Sequence, residues 1–197
     1  MEKFRSKYRI ESARLKNWDH SSNGLYFITI CTRNREHCFG EIVNDEMFLK
    51  DVGKIANQCW SEIPEHFQYV ELGEFVIMPN HVHGIIIIDK PGAMVVETLH
   101  ATSLPTPSKP QEQSESRPAI VHKNELMAKI SPKPNSVSAI IRSFKSAVTR
   151  LSKPLFEKFE WQTRFHDHII RTNDDFIRIS NYIVSNPANW KEDKFFN

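Results

Sequence analysis

The sequence has little net charge, few cysteines and no long hydrophobic run. Its formal net charge is only +2 over 197 residues, which excludes a protein that binds nucleic acid through bulk positive charge alone but allows a local basic patch. The cysteines are Cys31, Cys38 and Cys59; they form no C-x-x-C motif, and their odd number argues against a disulfide scaffold. We therefore expect reduced thiols in a bacterial-type cytoplasm.

No stretch approaches the ~20 apolar residues of a membrane-spanning helix, and the N-terminus is charged rather than similar to a signal peptide. We therefore expect no membrane partner. The apolar residues make up 40% of the chain and include 13 phenylalanines and four tryptophans. They can form one core of moderate size, so the sequence predicts a single domain over residues 1–197.

Residues 91–134 differ in composition from the rest of the chain. They hold seven of the eleven prolines and no aromatic residue. Such a stretch cannot bury enough apolar surface to offset the entropy lost on ordering. The composition therefore predicts a mainly flexible insertion within the domain.

The most informative segment is the run from Met78 to Ile87, Met-Pro-Asn-His-Val-His-Gly-Ile-Ile-Ile. Successive side chains of a strand point to opposite faces, so His81 and His83 project the same way while Val82 points into the core. Two neutral imidazoles on one face can bind a divalent metal ion. The same spacing also occurs as a hydrogen-bonded surface pair, so a metal site needs further support.

A second segment predicts one short helix. Thr172 or Asn173 can cap its first amides, and Pro187 disfavours helical geometry in the residue before it. Tyr182 and Asn186 are four residues apart and therefore share one face of this helix. The phenol hydroxyl and the amide are presented together, although a half-buried tyrosine that anchors the helix explains the same pattern.

The apolar residues of this helix recur at helical spacing. The predicted buried arc consists of Phe176, Ile179 and Ile183, widened by Ile177 and Val184.

The two segments together resemble the single-tyrosine HUH transposases (IS200-like) and, within that family, the transposase-like proteins associated with repetitive extragenic palindromes. The resemblance rests on the Met-Pro-Asn-His-Val-His-Gly strand and the Tyr-Ile-Val-Ser-Asn-Pro helix. It extends to residues 24–32, 161–162 and 165–171, in the family's order. In total it spans most of residues 20–90 and 135–190.

The resemblance implies a metal-dependent transposase or nickase that cleaves and rejoins single-stranded or hairpin DNA. It makes His81 and His83 metal ligands, places Asn186 at the third polar ligand position, and implies Mg²⁺ or Mn²⁺ as the cofactor. Tyr182 would attack the phosphorus and leave a 5′-phosphotyrosine and a free 3′-hydroxyl. Relatives act as monomers or as homodimers, and both states stay open here.

Apolar periodicity predicts an α+β fold. Strands are expected over residues 25–32, 69–78, 81–89, 159–162 and 166–171, and helices near residues 46–60 and from residue 135 onward. The second of these helices should bury Ile140, Ile141, Phe144, Val148 and Leu151. Helices packed on one face of an antiparallel sheet are one stable arrangement, which the resemblance narrows to a ferredoxin-like sandwich.

Several basic residues are candidates for DNA contact, because cations interleaved with aromatic residues can bind phosphates and unpaired bases. A frayed N-terminus or a solvated helix face explains them equally well. The candidates are Arg5, Lys7, Arg9, Arg14, Lys16, Arg33, Arg142 and Lys145.

The other histidines receive no metal role. His166 and His168 share a face if their segment is a strand, where the resemblance suggests a structural or substrate-positioning role. His20, His37 and His66 have no local partner in the sequence and are interpreted as ordinary surface or turn residues.

Two other functions remain open. An unrelated metallohydrolase could also use the H-x-H pattern, but it would need more histidine or acidic ligands close by. The nearest acid in that run is Asp89. A non-catalytic module that binds hairpin DNA would use the same fold, and tight binding without cleavage would indicate it.

Overall fold

The computed structural model describes residues 3–4, 7–8, 18–91 and 132–196. The strands are β1 (Lys3–Phe4), β2 (Lys7–Tyr8), β3 (Gly24–Cys31), β4 (Gly40–Val43), β5 (Glu46–Leu49), β6 (Val70–Ile77), β7 (His81–Ile88) and β8 (His166–Ile170). The α-helices are α1 (Asp51–Ser61), α2 (Ile63–His66), α3 (Val137–Ser152) and α4 (Asn173–Ser185). Two 3₁₀ turns cover Arg33–Arg35 and Trp190–Glu192.

Four strands form the main sheet in the order β6-β7-β3-β8, and every neighbouring pair is antiparallel. The pair β4–β5 and the pair β1–β2 each form a separate two-stranded ribbon. The predicted α+β class, an antiparallel sheet with helices packed on it, is confirmed. The two central strands, β7 and β3, are flanked on both sides and therefore carry the most buried residues of the sheet.

One face of the sheet carries the larger core. Val82 and Ile86 of β7 are fully buried there, together with Trp60 of α1 and Phe144 of α3. The rings of Trp60 and Phe144 meet edge to face with centroids 5.1 Å apart. Burial of each large apolar side chain contributes about 1.5–3 kcal/mol, so this face fixes the position of β7.

The opposite face carries α4, the helix that the sequence predicted around Tyr182. Ile179 and Ile183 of α4 pack against Ile85 and Ile170 of the sheet. Thus α1 and α3 share one face, as expected for the sandwich, whereas α4 covers the other. The alternation along β7 explains this division, because Ile85 and the two histidines point away from the larger core.

The predicted helix near residues 46–60 was wrong at its start. Residues Glu46–Leu49 form β5, which pairs with β4, and the helix begins only at Asp51. Asn44 and Asp45 have φ values of 51° and 64°. Positive φ at two successive residues is the geometry of a tight β-hairpin turn, and this local turn overrides the helical spacing of the apolar residues.

Three residues predicted to be buried are exposed. The exposed fractions are 44% for Leu151, 49% for Ile177 and 64% for Val184. Each lies at the edge of its helix's apolar arc, beyond the width that the sheet covers. The strand expected over residues 159–162 is reduced to an isolated bridge between Thr32 and Trp161.

Most of the predicted insertion, residues 92–131, lies outside the described residues, and its flexibility and the single-domain interpretation stay predictions. None of the helices within residues 18–91 and 132–196 combines the length and the hydrophobicity that a membrane span requires. Cys31, Cys38 and Cys59 are free cysteines.

Candidate active site

Strand β7 presents the two histidines in a buried position. His81 is 0% exposed and His83 is 1% exposed, and their ring centroids lie 4.4 Å apart. Thr29 Oγ1 on β3 lies 2.9 Å from His83 Nδ1, and Asn80 Oδ1 lies 2.8 Å from His81 Nδ1. Because both Nδ1 atoms are engaged, both rings turn their Nε2 atoms toward the interior of the site.

Helix α4 brings Tyr182 to these histidines. The helix starts at a side-chain cap, in which Thr172 Oγ1 accepts a hydrogen bond from the amide of Asp175 at 3.1 Å. Tyr182 Oη lies 3.2 Å from His83 Nε2, although the two residues are 99 positions apart. The edge of the Tyr182 ring also meets Phe27, with centroids 6.2 Å apart. The predicted meeting of the histidine strand and the tyrosine helix is therefore present.

The structure adds an acidic residue that the sequence did not indicate. Asp193 lies in the segment that follows the Trp190–Glu192 turn. Its Oδ2 accepts hydrogen bonds from Tyr182 Oη at 3.1 Å and from Asn186 Nδ2 at 2.9 Å. Apolar periodicity carries no signal for such a residue, because the described residues after Pro187 form only a three-residue 3₁₀ turn, which is too short to show a period.

His81, His83 and Asp193 form a cluster that is compatible with a metal ion. Each offers one ligand atom, and these atoms lie within 4.8 Å of one another. His81 Nε2 and Asn186 Oδ1 are buried and have no hydrogen-bond partner among the described residues. A buried polar atom without a partner is costly, and a cation coordinated by these atoms would remove that cost. The donor set of imidazole, carboxylate and amide oxygen fits a small divalent ion.

The C-terminal residues cover the histidines. The Phe195 ring lies 4.5 Å from the His81 ring, centroid to centroid, and the Trp190 ring lies 6.0 Å from it. The Phe195 carbonyl oxygen accepts a hydrogen bond from Asn80 Nδ2 at 2.8 Å, and the Lys194 carbonyl oxygen accepts one from Arg35 Nη1 at 3.0 Å. These contacts hold Asp193 beside Tyr182.

Burial sets the protonation state of the site. It lowers the pKa of His81 to about 2, with a further contribution from the neighbouring His83. It also lowers the pKa of His83 to about 4, against the opposing charge of Asp193. Both imidazoles are therefore neutral at pH 7, which is the form that binds a metal. Burial, and after it the charge of Asp193, raise the pKa of the Tyr182 phenol above its usual range.

The predicted DNA-contact residues are only partly described. Arg33 forms an exposed ion pair with Glu160, and Arg142 is exposed on α3. Lys145 is partly buried: its ammonium donates to the Gln162 carbonyl and lies 5.8 Å from the Trp161 ring centroid. Lys7 belongs to β2. The remaining candidates lie outside the described residues: Arg5, Arg9, Arg14 and Lys16. Their role in DNA binding stays a prediction.

His20 is not the ordinary surface residue that the sequence suggested. Its Nε2 lies 2.8 Å from Asp167 Oδ2, and the side chains of His20 and Asp167 are 13% and 2% exposed. The main-chain carbonyl of His20 also accepts a hydrogen bond from the amide of Val137 at 3.0 Å. This pair connects the segment before β3 to β8 and to the start of α3, and only the folded chain brings these parts together.

Comparison with known proteins identifies a relative by sequence and a solved structure with a similar fold. No family model matches the chain. An uncharacterized protein of Haemophilus influenzae is 38% identical over 189 residues, which are 94% of this chain and 92% of that protein. A solved structure of a REP-associated tyrosine transposase bound to a REP hairpin is similar with a TM-score of 0.52 and 18% identity, over 98% of this chain and 77% of that one. At this identity the likeness shows a shared fold.

Proposed function

We propose that this protein is a tyrosine transposase. The premise is that the chain belongs to one family with the Haemophilus influenzae protein and has the fold of a REP-associated tyrosine transposase. It cleaves and rejoins single-stranded or hairpin DNA through a 5′-phosphotyrosine link. The observation that carries this proposal is the position of Tyr182 Oη, 3.2 Å from Nε2 of a histidine that belongs to the His81–His83–Asp193 cluster.

The proposed step forms one bond and breaks one. The oxygen of Tyr182 attacks the scissile phosphorus, the bond from phosphorus to the 3′-oxygen breaks, and that oxygen leaves as a hydroxyl after it takes up a proton. The new phosphotyrosine keeps the bond energy of the phosphodiester. A second 3′-hydroxyl can therefore displace Tyr182 and restore a DNA strand without an external energy source.

Asp193 is placed to receive the phenol proton. Tyr182 Oη donates to Asp193 Oδ2 over 3.1 Å, and the direct hydrogen bond allows the proton to move as the attack proceeds. His83 lies next to the same hydroxyl, because its Nε2 is 3.2 Å from Tyr182 Oη while Thr29 engages its Nδ1; Nε2 is therefore the atom that would bind the metal rather than the phenol. The hydrogen bond to Asp193 and the ring contact with Phe27 hold the nucleophile in one orientation, which reduces the entropy cost of attack.

His81 and His83, with Asp193 or Asn186 as the third ligand, would hold Mg²⁺ or Mn²⁺. When bound, this ion would polarise the scissile phosphate as a Lewis acid, and its positive charge would offset the negative charge of Asp193. The fit is supported by the unpartnered His81 Nε2 and Asn186 Oδ1 atoms.

The first experiment is an adduct assay. The purified protein is incubated with Mn²⁺ and a pool of hairpin oligonucleotides that carry an internal label, and the products are separated on denaturing gels. We expect a labelled protein band that survives SDS, is lost with EDTA, and is absent in Tyr182→Phe and in His81→Ala.

The matched control is Tyr69→Phe, which removes another phenol hydroxyl and should leave the adduct intact. An adduct that persists in Tyr182→Phe would contradict the assignment of the nucleophile. Binding of hairpins without any adduct would indicate the non-catalytic DNA-binding module, and hydrolysis of small phosphate esters without DNA would indicate the metallohydrolase.

A further inference from the structure

On the face of the sheet that carries α4, the described residues of β8 include two exposed side chains. Helix α4 lies over β6 and β7, whereas β3 and β8 continue the same face beyond it, with β8 as the edge strand. Ile170 of β8 packs into the small cluster under α4. Because side chains two residues apart share a face, His166 and His168 project on this side of the sheet, and both are exposed.

These two histidines are in register with the candidate active site. In the sheet, His83 stands opposite Thr29, and Thr29 stands opposite His166. One cross-strand row therefore runs from the active-site histidine to the exposed one. Since neighbouring strands are separated by about 4.8 Å, the two histidines lie roughly 9–10 Å apart along this row.

Phe27 lies between His168 and the candidate active site. It stands opposite His168 in the sheet, and its ring lies 5.2 Å from the His83 ring and 6.2 Å from the Tyr182 ring, between centroids. Phe27 is half-buried. Aromatic rings therefore extend from Tyr182 to Phe27, and His168 stands next to Phe27 on the neighbouring edge strand.

From this geometry we infer that His166, His168 and Phe27 bind the unpaired nucleotides next to the scissile phosphate. The inference rests on the proposed function and names the part of the substrate that this surface takes. Aromatic and imidazole rings stack on unpaired bases of any sequence, and ring N–H groups donate to phosphate oxygens. Two such side chains about 6.6 Å apart along one strand can contact successive nucleotides of an extended chain.

The surroundings favour contacts by a neutral imidazole rather than by bulk charge. Burial, and after it the charge of Lys194, lower the pKa of His166. His166 is therefore uncharged at neutral pH and acts as a hydrogen-bond donor and a stacking surface. The contact of His166 with DNA should consequently depend little on salt, in contrast to contacts that neutralise phosphates.

The test measures DNA binding in the Tyr182→Phe background, so that no cleavage occurs. A fluorescent hairpin with unpaired flanking nucleotides is compared with the same hairpin lacking them, by anisotropy in EDTA. We expect His166→Ala/His168→Ala to weaken binding of the flanked hairpin at least about fivefold, the lower end of base stacking energies. Binding of the blunt hairpin should not change.

Two variants control for structural damage. His66→Ala removes an exposed histidine of α2 and should have no effect on either hairpin. His168→Phe keeps a ring for stacking and should restore most of the affinity that His168→Ala loses. Equal weakening of both hairpins, or no weakening of either, would overturn the inference.

The adduct assay separates this inference from the proposed function. If the wild type forms the adduct but the histidine variants bind flanked hairpins normally, His166 and His168 do not bind the flanking nucleotides, and the assignment of Tyr182 as the nucleophile is unaffected. If the wild type forms no adduct and the variants lose affinity only for the flanked hairpin, the result supports His166, His168 and Phe27 as a binding site and contradicts the proposed cleavage. When both hold, the variants should need more DNA to reach the same maximal cleavage rate.

Discussion

Gly84, which follows His83 in β7, should not tolerate even one added methyl group. A Cβ at this position would lie 2.4 Å from Trp60 Cζ2, 2.8 Å from Trp60 Cε2 and 3.0 Å from Phe75 Cβ. Ordinary contact begins at 3.4 Å, so the Trp60 ring or the strand must retreat by about 1 Å. Trp60 is 0% exposed and its ring contacts Phe75 and Phe144, which leaves the ring little freedom to move.

We expect Gly84→Ala to lower the free energy of unfolding by about 2–3 kcal/mol, in the upper part of the range for overpacked cores. For a domain of this size the loss corresponds to a fall in Tm of roughly 4–12 °C. Urea denaturation followed by circular dichroism measures it. A shift of β7 also displaces His83, so metal affinity should fall with stability.

Two further variants test the clash between Gly84→Ala and Trp60. The control Gly73→Ala adds the same methyl group on β6, where Cβ would lie 3.0 Å from Ile85 Cβ, and should cost less. A double-mutant cycle with Trp60→Phe should shrink the cost of Gly84→Ala to below about 1 kcal/mol, because residues in contact couple. A Gly84→Ala variant as stable as wild type, or an unchanged cost beside Phe at position 60, would refute the clash.

Three further outcomes are expected from the site. Since burial holds the pKa of His83 at about 4 and that of His81 at about 2, against about 6.5 in the unfolded chain, only the unfolded state takes up these protons between pH 6.5 and 4. In EDTA, the free energy of unfolding should therefore be highest above pH 6.5 and fall with decreasing pH by up to about 2.7 kcal/mol per pH unit. Urea denaturation at several pH values measures this dependence. The same dependence on pH in His81→Gln/His83→Gln would contradict the explanation. Asp193→Asn should lower the pKa of the Tyr182 phenol, because it removes the carboxylate charge at 3.1 Å; ultraviolet titration, corrected with Tyr182→Phe, detects the change, and an unchanged titration would argue against their contact. Thr29→Val keeps the side-chain shape but removes the hydroxyl 2.9 Å from His83 Nδ1, so Mn²⁺ should bind about 10–100-fold more weakly by calorimetry; wild-type affinity would show that Thr29 does not orient the ring.

The parts of the site that lie on regular elements could be predicted from the sequence. The two-residue period places His81 and His83 on one face and Val82 in the core, and the structure agrees. The N-terminal cap of α4 was equally predictable from the sequence: Thr172 Oγ1 accepts a hydrogen bond from the amide of Asp175. Local geometry determines both features, so a pattern of a few residues is sufficient.

The residues that sequence reasoning missed depend on long-range contacts. Asp193 reaches Tyr182 only because Phe195 and Asn80 hold the C-terminal segment in place. The pairing of His20 with Asp167 likewise joins parts of the chain that no local pattern connects. The misassigned helix start at residues 46–49 has a different cause: the apolar spacing alone predicted a helix there, whereas Asn44 and Asp45 form a local turn.

The two faces of the sheet are held with unequal strength. Among the described residues, twenty buried side chains form the core on the side of α1 and α3, whereas only four form the cluster beneath α4. Local unfolding free energy follows the amount of buried apolar contact. We therefore expect the helix that carries Tyr182 to open more easily than β7, which holds both histidines. Amide hydrogens of α4 should then exchange by a low-energy opening, long before those of β3 and β7.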